Sequence, residues 1–134
     1  MAEKTLEETD KFLKILVKES TLTPRQLEAI VFYYNNIDSN IVKNGYVEFK
    51  GNRVSKGAFF RTLNQAKTNI RKAIITLLIM AYLGLIDTNQ LEIIIQLNSI
   101  MMQLKNRGED VPEDVLNAFL ERVKTAIDLR KRVK

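Results

Sequence analysis

The chain has 134 residues, 46% apolar and 28% charged, with a formal net charge of +5. Those proportions suit one folded domain and not a disordered segment. It contains no cysteine and no histidine. That excludes disulfides, thiol catalysis and cysteine-based metal sites, and it removes the commonest general base, so neither an enzyme nor a bound cofactor or metal is expected.

The first residues, MAEKTLEETDKF, carry both charge signs and lack the apolar core of a signal peptide. The longest apolar run, IITLLIMAYLGLI at 74–86, is shorter than the ~20 residues of a membrane span. A cytoplasmic protein without a membrane segment is the expectation.

Taken in chain order, helix starts appear first. Thr5-Leu6-Glu7-Glu8 is a capping box, and Leu6, Phe12, Leu13, Leu16 and Val17 recur at helical spacing after it. A helix over 6–19 is expected. Thr23-Pro24-Arg25-Gln26 is a second box, with proline at the first helical position where its missing amide is not needed. Leu27, Ile30, Val31 and Tyr34 form the expected buried stripe of that helix.

Between Asn35 and Val54 the pattern changes. Asn44-Gly45 supplies the left-handed pair of a two-residue hairpin turn between Ile41-Val42-Lys43 and the alternating Tyr46-Val47-Glu48-Phe49. A short β-hairpin or ordered loop is expected there.

The segment after it has two readings. One is a helix-turn-helix, with Asn64 at the left-handed turn position and Ile70 with Ala73 or Ile74 anchoring a recognition helix. The other is one helix from about 56 to 83, because Phe59, Leu63, Ala66, Ile70, Ala73, Ile74, Leu77 and Ala81 keep helical phase. Periodicity slightly favours the continuous helix.

Asp87-Thr88-Asn89-Gln90 opens a further helix that runs to about Lys105 and stops at Gly108. Asp110-Val111-Pro112-Glu113 opens the last, with Val115, Leu116, Phe119, Leu120, Val123, Ala126 and Ile127 as its stripe. The fold class expected is all-α: about five helices with a possible short β-hairpin. It would be a single domain over 1–134, with a helix-turn-helix-like core at 22–86 and a C-terminal helical pair at 87–134.

Charge is unevenly placed. Residues 50–86 hold seven cations and no acid, more than the whole net charge. A localised positive field of this kind suits a polyanion partner. Lys50, Arg53 and Lys56 are the candidate phosphate contacts before or at the helix start. Arg61 could pair with phosphate or with an acid of the N-terminal helix. Lys67, Arg71 and Lys72 would lie in or against the major groove, with Thr68 and Asn69 adding hydrogen bonds. A solvated basic helix face is the plainer reading, but such faces normally mix signs. Tyr33, Tyr34, Phe59 and Phe60 lie on apolar stripes, so core packing is expected of them ahead of base stacking. The C-terminal LRKRVK, 129–134, complements a helix dipole.

LTPRQLEAIVFYY, 22–34, resembles the opening helix of the helix-turn-helix domains in sigma-factor region 4 and in LuxR-type regulators. IRKAI and YLGLI are similar to the recognition-helix end of winged-helix regulators. Small crenarchaeal DNA-binding proteins, in which such helices join a dimerising helix, are also similar in plan. The resemblance implies a regulator or architectural protein bound to double-stranded DNA.

LEIIIQLNSIMMQL, 91–104, is apolar around more than half its circumference, wider than one neighbour would cover. A homodimer through Ile93, Ile94, Leu97, Ile100, Met101 and Leu104 is expected, the alternative being a well-buried helix of a monomer. For function, the alternative is a helical subunit or adaptor of a larger nucleoprotein or polymerase assembly, where the basic face meets RNA or an acidic protein.

Overall fold

The computed structural model describes residues 10–107, 111–126 and 128. Side-chain caps set where most of the helices begin. Asp10 accepts from the Leu13 amide at 3.0 Å and starts α1, Lys11–Lys18. The expected earlier start at Thr5–Glu8 lies outside the described residues. Thr23 and Gln26 exchange side-chain-to-backbone bonds of 3.1 and 3.2 Å, as a capping box does, and start α2, Pro24–Asn35. Ser55 caps α3, Lys56–Tyr82, by accepting from Ala58. Asp87 and Gln90 form a second reciprocal box ahead of α4, Thr88–Arg107. Pro112 precedes α5, Glu113–Ala126. Gly108, Asp110, Ile127 and the basic tail 129–134 lie outside the described residues.

Between α2 and α3 the chain makes a three-stranded antiparallel meander, β1 Val42–Lys43, β2 Tyr46–Phe49 and β3 Asn52–Ser55. The first turn is the expected Asn44-Gly45, at φ +54° and +80°. Two positive φ values in a row are what a two-residue hairpin needs to match strand twist. The second turn, Lys50-Gly51, does the same at +55° and +76°. Val47 and Phe49 point into the core while Tyr46 and Glu48 face out, the period of a half-buried strand. The register pairs Val47 with Val54 and Glu48 with Arg53.

The described residues thus form a mostly helical fold of five helices and one small sheet. Residues 56–82 are one unbroken helix, and Asn64 lies inside it. That settles the two readings of the segment in favour of the continuous helix.

Two apolar clusters hold the fold. In the first, Ala29 of α2, Val47 and Phe49 of β2, and Phe59 and Leu63 of α3 are buried together. Phe49 and Phe59 meet edge-on at 5.3 Å between ring centres, and Phe32 joins both. Such pairs add about 0.5–1.5 kcal/mol each beyond the area they bury. In the second, Phe12 of α1, Leu104 of α4, Val111, and Leu116 and Phe119 of α5 are buried together. Phe12 and Phe119 pack edge-on at 5.6 Å. Lys124 adds a surface tie, 3.0 Å from Glu19 and 3.5 Å from Glu121. The hydrogen bond to Glu19, with the nearby carboxylate charges, raises its pKa above the ordinary lysine value. Five side chains expected on apolar stripes are instead exposed: Tyr34, Ile70, Ala73, Ile74 and Val115.

The end of α3 is a Schellman stop. Gly84 donates to the Ala81 carbonyl and Leu85 to that of Met80, at 3.0 and 2.9 Å, with Gly84 at φ +74°. A Cβ at Gly84 would meet nothing within 4 Å, so only its backbone conformation resists replacement. Gly57, in the first turn of α3, also has open space and no positive φ. Gly84→Ala is therefore expected to lower the unfolding free energy by about 1 kcal/mol, and Gly57→Ala to raise it by about 0.5–1 kcal/mol. Urea midpoints of the two variants check this, and a Gly84→Ala variant as stable as the parent would contradict the left-handed stop.

Candidate nucleic-acid interface

The buried face of α3 is set by Phe59, Leu63 and Ala66, which pack toward α2 and the sheet. Residues three and four apart share a helix face, so the opposite side is the row 61, 64, 65, 68 and 72. Arg61, Asn64, Gln65 and Lys72 are exposed there and Thr68 is half-buried. Arg61, Asn64, Gln65 and Thr68 line a shallow depression with Gln26 and Asn69. Lys56, Lys67 and Arg71 lie along one flank of this row and are exposed. The Lys67 ammonium sits 4.9 Å from the centre of the Tyr33 ring, an orienting cation–π contact.

Three of the expected contact residues have structural roles. The Lys50 ammonium turns back to the Glu28 carboxylate at 3.4 Å, with the two side chains only 17% and 9% exposed. Asn69 donates to the Gln26 side chain at 2.8 Å and to the Thr21 carbonyl at 3.2 Å, which ties α3 to the capping box of α2. Arg53 lies over the Tyr46 ring at 4.2 Å and opposite Glu48 in the sheet. The exposed cations on α3 are therefore Lys56, Arg61, Lys67, Arg71 and Lys72. Asn64 and Gln65 join the surface although charge alone did not single them out. The spacing 61, 64, 65, 68, 72 was the signal that could have found them.

The aromatic quartet divides. Phe59 is buried, Phe60 and Tyr33 are half-buried and in ring contact at 6.4 Å, and Tyr34 is exposed. Of the expected dimer contacts on α4, Leu104 is buried in the second cluster, and Leu97 and Met101 pack against it. Ile94 is half-buried, and Ile93 and Ile100 are exposed. No helix among the described residues is long and apolar enough to cross a membrane.

No protein-family model, curated protein or solved structure matches the chain.

The placement of Lys50 has a direct consequence. Lys50→Ala takes a cation from a buried carboxylate while leaving the positive φ unchanged, so stability is expected to fall by roughly 1–3 kcal/mol. Chemical denaturation checks it. An unchanged midpoint would show that Lys50 is not committed to Glu28.

Proposed function

We propose that the protein binds double-stranded DNA through the outer face of α3, as a transcriptional regulator or an architectural protein, and that it is not an enzyme. The observation that carries this is the composition of one helix face. Arg61, Arg71 and Lys72 surround Asn64, Gln65 and Thr68, within 37 residues that contain no acid.

A helix about 10–12 Å across fits the major groove of B-DNA, about 12 Å wide. Cations at the edges of the face neutralise phosphates and set register, while amide side chains reach base edges; Asn and Gln suit adenine. The deep, narrow major groove of double-stranded RNA does not admit such a helix, which favours DNA over duplex RNA. Affinity from released counterions makes the binding steeply salt-dependent.

A second reading, a helical subunit of a larger nucleoprotein or polymerase assembly, is favoured by the apolar surface left on the second half of α3. It expects poor binding to free duplex.

The test is fluorescence anisotropy with random duplex at several salt concentrations, beside single-stranded DNA and RNA. Arg61→Ala with Lys72→Ala is expected to weaken duplex binding and to lower the slope of log K against log salt by about 2, near 0.9 for each phosphate that is no longer neutralised. An unchanged slope would remove this face from contact with DNA.

A further inference from the structure

Beyond Lys72 the outer side of α3 turns from basic to apolar. Ile74, Ile75, Leu78, Ile79 and Tyr82 are exposed, Leu78 at 61% and Tyr82 at 90%. No charged residue occurs between Lys72 and Asp87. Positions 71, 75, 78 and 82 are spaced by four, three and four residues, the spacing of a helix-pair seam. We propose that this outer seam of α3, Ile75–Tyr82, is the contact between two copies of the chain, packed antiparallel about a two-fold axis near Leu78 and Ile79. The proposal stands without the DNA reading.

The stretch 73–86 holds no charged residue, so this face meets a copy of itself without setting like charges together.

Charge chooses the direction. A parallel pair would set Arg71 and Lys72 beside the same cations of the other copy. An antiparallel pair sets them toward the C-terminal end of the other copy's α3, whose carbonyl end is favourable for cations. A two-fold contact of one face with itself also closes the assembly at two copies.

One consequence does rest on the DNA reading. A two-fold axis normal to the helix pair keeps both Arg61–Lys72 rows on one side of the dimer. At 1.5 Å per residue their centres lie about 36 Å apart, near one turn of B-DNA.

The chain lacks cysteine, so introduced thiols are unique. Sedimentation equilibrium of the full chain should give twice the 15.5 kDa chain mass, and Leu78→Glu should halve it while keeping the helical circular dichroism. A parent chain that is monomeric at tens of micromolar would overturn the second copy as occupant and leave the seam to a different partner. For direction, Ile75→Cys and Tyr82→Cys chains are oxidised separately and mixed. The mixture should form the mixed disulfide, and neither variant alone should cross-link. Cross-linking of either variant with itself and not in the mixture would overturn the antiparallel arrangement. Both readouts are taken without DNA, so they fail or succeed independently of duplex binding.

Discussion

The packing of Phe59, Leu63 and Ala66 against Ala29, Val47 and Phe49 decides what the rest of α3 can do. A helix repeats every 3.6 residues, so fixing the direction of three side chains fixes the direction of all the others. Once that face is turned to α2 and the sheet, Arg61, Asn64, Gln65 and Lys72 fall on the exposed side. Asn69 reinforces the choice. Its bonds to Gln26 and Thr21 hold α3 in one rotation against the start of α2. The sheet turn that carries Lys50 is held by Glu28 in the same way. Rigid support of this kind is what a recognition surface needs, because small displacements of a loosely held helix move its side chains out of reach of their targets.

The two apolar clusters lie in different parts of the fold, and α3 is longer than either requires. Its 27 residues span about 40 Å. The first half is paired with α2 and the sheet, and Gly84 ends the second half sharply before the turn into α4. A helix end built with a defined stop, followed by a capped start at Asp87, does not suggest fraying as the reason for the exposed isoleucines and leucines. Contiguous apolar surface on a folded chain marks a contact. The first half of α3 thus exposes basic side chains and the second half apolar ones.

Much of this was readable from residues alone. The boxes at Thr23–Gln26 and Asp87–Gln90, the Asn44-Gly45 turn, the continuous phase of 56–82 and the acid-free segment are local signals with local causes. Other features are not local. Lys50-Gly51 is a weak turn signal, because lysine has no special ease at positive φ, so the third strand was not foreseen. Glu28 meets Lys50 only because the meander folds over α2. Periodicity could not say that full burial ends at Ala66, since phase does not count neighbours. The broad apolar girth of α4 is likewise shared among cluster and surface, with Leu104 buried and Ile95 exposed.

The most direct test of a DNA-facing α3 is an amide chemical-shift titration of the full chain with a short random duplex at low salt. The outer face of α3 is expected to shift first and most, at Arg61, Asn64, Gln65, Thr68, Arg71 and Lys72, with Lys50 and Asn69 moving less. Shifts confined to α4 and α5, or none at all with duplex in excess, would contradict it.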